Sequence, residues 1–173
     1  MGRKLIVGFS KPQHRFFPIF SWVIRWVDKT EYSHVYLKFN SEFLKETLLY
    51  EAANGYVNFR SLELWNEKNK VVTEFEINMS DEQMQVLLKW CVRNSGKPYS
   101  VKQLVGIGWN YVRKAFNYPP KNIFKNEEDG MVCSEVLARI LSVVYGIDTG
   151  IDFDLVDPRD IYEILSSYAT KVY

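Results

Sequence analysis

Cysteine and histidine are scarce in this chain, with two of each in 173 residues. Cys91 and Cys133 alone exclude a disulfide scaffold and imply free thiols in a reducing compartment. A zinc site would need all four of these residues or borrowed carboxylates, and no metal-type spacing exists among them. No metal or cofactor is therefore expected. Charge imbalance is also missing. The formal net charge is +1, so no bulk field recruits nucleic acid or an anionic membrane. Long apolar runs are absent as well. The most apolar stretch, Phe16 to Val27, contains Pro18 and Arg25 and is too short for a transmembrane segment. Leu5 to Phe9 is too short for a signal-peptide core, and Lys11 to Arg15 follows almost at once. A cytoplasmic location is expected, while export without a signal or a phage-related location stays open. There is no internal repeat, low-complexity tract or linker, which predicts one domain over residues 1–173.

What is present is patterning. Aromatic residues make up 16% of the chain. Lys4 to Ser10 reads as a strand. Pro18 suits the first turn of a helix that Ile19 to Asp28 continues, and its apolar faces predict burial. Insertion of that helix into lipid is the alternative, and the lack of a strongly basic polar face argues against it. Tyr32 to Phe39 alternates, with Val35, Leu37 and Phe39 on one face and His34, Tyr36 and Lys38 on the other. Leu48 to Ala53 is a second strand in this region, Asn54-Gly55 a hairpin turn, and Tyr56 to Phe59 the return. Val71 to Ile77 alternates again.

Helix signals follow. Ser80 to Gln83 is a capping box. It opens a helix with a stripe of Met84, Leu87, Leu88, Cys91 and Val92, on which Cys91 reads as a core residue. Val101 to Phe116 is helical, and its Gly106 and Gly108 predict close approach of a neighbouring element. Asn117 to Asp129 is a loop. Leu137, Ile140, Leu141 and Val144 repeat at helical spacing before the stop signal Gly146, so Cys133 falls in the first turn of an apolar helix. Asp157 caps a last helix with Pro158 at its first position. Strands first and helices after them predict an α+β fold, a small antiparallel sheet packed on a helical layer.

Three residues invite a joint reading. A thiol at a helix N-terminus has its pKa lowered by the dipole and by free backbone N–H groups. A nucleophilic thiol needs a base, and the base needs a third group to orient it. Cys133, His34 and Glu51 are of these types, and neighbouring strands can set His34 beside Glu51. Glu51 sits in an apolar run, where a carboxylate needs a reason. A helix packed on that sheet face would aim Cys133 at the imidazole, with the Cys133 N–H helping to bind an oxyanion. Spacing alone favours a core histidine, a core cysteine and a partly exposed glutamate as the reading of the same residues. His14 reads as a loop histidine, and Glu135 as a solvated or dipole-favoured acid.

Several stretches, in order, resemble the permuted branch of the NlpC-type, papain-like cysteine hydrolases, which includes YiiX-like proteins and relatives of lecithin–retinol acyltransferase. Ser21 to Trp26 with Tyr32 to Leu37 is similar to its histidine strand. Tyr50 to Val57 resembles its "E-A…G-V" strand and turn, and Gly96 to Ser100 its "G-x-x-Y-D" motif. Val132 to Val136 resembles its "C-S-E-L" nucleophile box, and Asp157 to Asp160 its last "P-x-D" helix start. The histidine strand precedes the cysteine helix, which is the permuted order.

The resemblance implies a permuted papain-like fold with Cys133 as nucleophile, His34 as general base and Glu51 as the orienting residue. Asn54 or Asn58 is an alternative for that third role. Tyr32 and Tyr99 adjoin matched motifs and are candidates for substrate or oxyanion contact. Ser100 stands where the family often has aspartate. The implied activity is a cysteine amidase or peptidase acting on peptide, isopeptide or cell-wall peptide bonds through an acyl-enzyme. A lipid-directed thiol acyltransferase or esterase acting on acylated substrates is the alternative, and a silent structural or binding module, as in a phage particle, is another.

Overall fold

The computed structural model of the chain describes residues 3–13, 29–41, 44–119, 121 and 130–173. The expected helix over Ile19 to Asp28, the loop residue His14 and residues 120 and 122–129 of the expected loop lie outside the described residues. The alternating segments form β1 (Arg3–Pro12), β2 (His34–Ser41), β3 (Glu46–Ala53), β4 (Tyr56–Ser61) and β5 (Asn69–Met79). With β6 (Thr170–Lys171) they make one six-stranded sheet in the order β4-β3-β2-β1-β5-β6. Every pairing is antiparallel. The β3–β4 turn is Asn54-Gly55, with φ of 52° and 96°. Both residues are in the left-handed region, where Asn and Gly are the least strained choices.

Alternation divides the sheet into two faces. Leu5, Val7, Phe9, Val35, Leu37, Tyr50 and Ala52 join the main core. Tyr36 and Leu49 face the other way and pack with Trp65 in a smaller cluster. Trp65 belongs to α1 (Leu62–Asn66), a five-residue helix. A helix this short, with one buried anchor, has no periodicity to detect. The two-residue β6 escapes detection for the same reason.

The main core is covered by α2 (Asp81–Asn94), α4 (Cys133–Tyr145) and α5 (Pro158–Tyr168). The helix between them in sequence is α3 (Val101–Ala115). The Ser80/Gln83 capping box on α2 forms as expected. The α2 stripe is narrower than expected, however. Met84, Leu87 and Cys91 are buried, while Leu88 and Val92 are exposed. Gly108 of α3 also departs from expectation, because a Cβ there would meet nothing within 4 Å. On α4, Val136, Leu137, Ile140 and Leu141 are fully buried, each contributing about 1.5–3 kcal/mol. Gly146 ends α4 at φ 66°, and Asp157 caps α5 through a capping box with Asp160. The α+β architecture predicted by the element order, an antiparallel sheet packed on helices, is the one observed.

Candidate active site

The site lies where two elements begin beside a third. His34 is the first residue of β2, and Cys133 is the first residue of α4. Glu51 is the sixth residue of β3. The β2–β3 ladder stops at the Leu37–Tyr50 pair. Extending that register by one step sets Glu51 opposite Tyr36, which puts Glu51 on the His34 face. His34 Nε2 lies 2.7 Å from Glu51 Oε2. Glu51 is 2% exposed, and its burial is offset by donors. Trp65 Nε1 donates to Oε2 at 2.8 Å, and Arg60 Nε lies 3.1 Å from Oε1, off line for a hydrogen bond. Burial alone would push the Glu51 carboxyl up. The hydrogen bonds from His34 and Trp65 and the charges of His34 and Arg60 outweigh it, so the carboxyl is held below its ordinary range. An ionised carboxylate only accepts, so Nε2 carries its hydrogen and Nδ1 is left for the thiol.

Cys133 reaches the imidazole by a route the alternation did not predict. The expected arrangement had its helix on the sheet face that carries His34 and Glu51. Instead α4 packs in the main core with Val35 and Leu37, on the opposite face. The two sides meet past the end of the ladder. There the Val35 N–H, two residues before the last β2–β3 pair, bonds to the sulfur, as does the Ser134 N–H. Burial is the largest single influence on Cys133 and raises its pKa. The His34 charge and hydrogen bond, together with those two amides, more than reverse it, and the thiol is held below its ordinary value. Burial likewise lowers His34, but the charge and hydrogen bonding of Cys133 and Glu51 dominate in sum and push it up to about 10. Both shifts favour the thiolate–imidazolium pair over the neutral one. Cys91, by contrast, is pushed up to about 12 by burial and lies in the core.

A strut holds the cysteine end of α4. Val57 N donates to Lys97 O at 2.9 Å, and Tyr99 N donates to Gly55 O at 2.8 Å. Met131 N donates to Pro98 O at 3.0 Å, and Ser100 N to Met131 O at 3.3 Å. Residues 97–100 thus tie the β3–β4 turn to the approach into α4. Gly130 is required by this contact, since a Cβ there would lie 3.1 Å from Pro98 O and 3.2 Å from Ser100 Cβ. Ser134 Oγ donates to Val156 O at 2.6 Å and pins the first turn from the other side.

The remaining predicted residues separate. Tyr99 is half-buried, and its hydroxyl pKa is raised, first by burial and then by the Cys133 charge. Tyr32 is packed among rings, 4.8 Å from Phe9 and stacked 5.5 Å from Tyr162, which makes it a wall of the aromatic core. Of the three candidates to orient His34, Glu51 makes the bond. Asn58 pairs with Glu51 from β4, and Asn54 is in the exposed turn. Ser100 Oγ accepts from Gln103 N at 3.2 Å, a capping bond that an aspartate can also make. Glu135, expected as a solvated or dipole-favoured acid, lies in the first turn of α4 but is not solvated. It is fully buried, burial raises its carboxyl, and Arg139 Nε donates to it at 2.6 Å. Trp65 and Arg60 are the partners that the sequence reading missed. A tryptophan in an isolated polar stretch was the available signal.

No family model matches the chain, and no curated protein matches it. A solved structure does. The metalloprotein YiiX of Escherichia coli O157:H7 superposes with a TM-score of 0.64 at 18% identity, over 100% of this chain and 96% of that one. The fold is YiiX-like. YiiX is described as a metalloprotein. Among the described residues no three His, Cys, Asp or Glu side chains gather as a metal-binding group. In the candidate site the imidazole stands between carboxylate and thiolate, one nitrogen committed to each, so the three donors do not converge on one point. The set does not fit a metal. Among the described residues of this YiiX-like chain, no helix is long and apolar enough to cross a membrane.

Proposed function

We propose that the chain is a thiol hydrolase of the permuted NlpC-type, papain-like kind, cleaving an amide bond through an acyl-enzyme at Cys133. One observation carries the reading: a half-buried imidazole with Glu51 on one nitrogen and the Cys133 thiolate as its other partner. Structural proteins have little use for a buried thiolate, whereas nucleophilic catalysis requires one. The thiolate attacks the carbonyl carbon. Positive charge at the α4 N-terminus, including the Cys133 N–H, stabilises the oxyanion, and Tyr99 is the nearby hydroxyl available to assist. On collapse, the His34 Nδ1 proton passes to the leaving amine. A water then attacks the thioester, giving its proton back to His34, and the acid product leaves with the thiolate restored. Glu51 keeps the ring oriented and favours the imidazolium in both halves.

The substrate class supported by the motifs is a peptide, isopeptide or cell-wall peptide. A lipid-linked acyl group is the second reading, favoured by the apolar outward face of α3, which begins two residues after Tyr99. The test is alkylation at neutral pH, read by mass spectrometry, followed by a panel of peptidyl and acyl electrophiles. Cys133 should react and Cys91 should not, and the preferred electrophile assigns peptide or acyl. Equal reactivity of the two thiols would overturn the proposal and leave a binding module on a YiiX-like fold.

A further inference from the structure

The sheet face opposite α4 carries a chain of contacts that ends on Glu51. Tyr36 lies two residues after His34 on β2, so both side chains share that face. Tyr36 is fully buried and pairs with Gly8 of β1. A Cβ on Gly8 would lie 2.1 Å from Tyr36 Cζ and 2.4 Å from its hydroxyl oxygen. The absent side chain lets the phenol cross β1 to Glu74, which pairs with Gly8 from β5. There the Tyr36 hydroxyl donates to Glu74 Oε1 at 2.7 Å. Lys38 Nζ, from two residues further along β2, donates to both Glu74 oxygens at 2.5 and 2.6 Å.

The phenol is in turn a wall for Trp65. The two ring centroids are 4.6 Å apart and tilted by 57°, and Leu49, Leu62 and Val71 complete the cluster. Trp65 needs such a wall. It sits on the five-residue α1, whose N-cap makes no side-chain bond, and a helix that short holds little conformation on its own. Trp65 Nε1 donates to Glu51 Oε2 at 2.8 Å. The same oxygen lies 2.7 Å from His34 Nε2. A turn of the indole therefore takes a donor away from the oxygen on which the imidazole is aligned.

We infer that Tyr36 is a positioning residue for the candidate site, acting on His34 through Trp65 and Glu51. Glu74 and Lys38 fix the phenol, and the phenol fixes the indole. The indole N–H then keeps Glu51 ionised and directed at the imidazole. A buried ionic set such as Tyr36, Glu74 and Lys38 adds little stability over apolar side chains of equal volume, but its hydrogen bonds admit one ring orientation. Burial first, then the Glu74 bond and charge, raise the Tyr36 hydroxyl, so it stays protonated and donates. The Glu51 charge acts in the same direction. The charges of His34 and Arg60 reach Glu51 directly from β2 and β4 and do not pass through Tyr36. The inference rests on the reading of Cys133 and His34 as a nucleophile and its base, whereas the contacts themselves do not.

The test compares Tyr36→Phe, which removes only the hydroxyl, with Trp65→Phe and with the double variant. Two readouts are taken in the full chain. One is the pH midpoint of Cys133 alkylation by iodoacetamide. The other is the indole N–H resonance of Trp65, assigned by its loss in Trp65→Phe. In Tyr36→Phe the midpoint should move up, by less than in Trp65→Phe, and the Trp65 resonance should shift and exchange faster with solvent. In the double variant the midpoint should match that of Trp65→Phe alone, because residues acting in series are not additive. Gly8→Ala pushes the phenol aside with every partner present and should repeat the Tyr36→Phe shift. If Gly8→Ala fails to fold, Tyr36→Phe still decides, since it adds no atom. A merely structural Tyr36 would lower the urea midpoint and leave the alkylation midpoint in place, and that result overturns the inference. Shifts that add in the double variant overturn it too. If Cys133 reacts no faster than Cys91 in the unaltered chain, the hydrolase reading fails and the Trp65 resonance decides alone. A resonance moved by Tyr36→Phe then upholds the relay, and an unmoved one ends it.

Discussion

Cys133, His34 and Glu51 owe their properties to one another. Removing the sulfur by Cys133→Ala should end alkylation at that position and all turnover, at a stability cost of about 1 kcal/mol in a denaturant melt. Glu51→Gln is the sharper experiment, because it keeps the shape and removes the charge that favours imidazolium. The Cys133 thiol should then move up toward its ordinary value, and turnover should fall by about a hundredfold or more. The pH profile of alkylation reads the first effect and steady-state kinetics the second. Trp65→Phe removes one donor to Glu51 and should shift that profile in the same direction by less. In the unaltered protein, thiolate forms on the acid side as pH rises through the depressed Cys133 value. The proton donor is lost on the alkaline side at about 10. A bell-shaped rate profile with its alkaline limb near that value is expected, and a limb set by an ordinary histidine would contradict the ion pair.

The elements reach the site through their ends. The first residue of β2 and the first residue of α4 supply the imidazole and the sulfur. The strut from Lys97 to Ser100 sets the distance between them and the β3–β4 turn. Gly130→Ala inserts a methyl against Pro98 O and Ser100 Cβ. It should cost about 1–3 kcal/mol, and it should slow alkylation of Cys133 beyond what that loss explains, since the backbone must shift at the α4 N-terminus. Asp157 shows a separate use of a helix end. It caps α5 and accepts from Tyr111 OH at 2.9 Å. Caps, turns and long periodic helices were legible in the sequence because each is decided by residues within about four positions. The five-residue α1 and two-residue β6 were not, since pairing and one buried ring decide them.

For the whole molecule, the ion pair sets a pH window. An unfolded chain has His near 6.5 and Cys near 9.0. Above 9.0 the folded form holds one proton more, and stability should fall as pH rises through about 10. On the acid side the unfolded thiol holds a proton that the folded thiolate has given up, so stability should fall as pH falls through the depressed Cys133 value. Glu51, held below its ordinary range, adds to that acid-side loss. Urea midpoints across this range check both slopes. By itself, the sequence determined which residues share a strand face, where helices start and stop, and the order histidine, glutamate, cysteine. These follow from local sterics and periodicity. Only the tertiary structure decided which face α4 covers, where the β2–β3 ladder opens to admit the sulfur, and that Glu51 rather than Asn54 or Asn58 holds the ring. It also decided that α3 turns its apolar stripe outward. Alternation and helical spacing fix faces relative to their own element, whereas the choice of what each face meets is made by packing among elements distant in sequence.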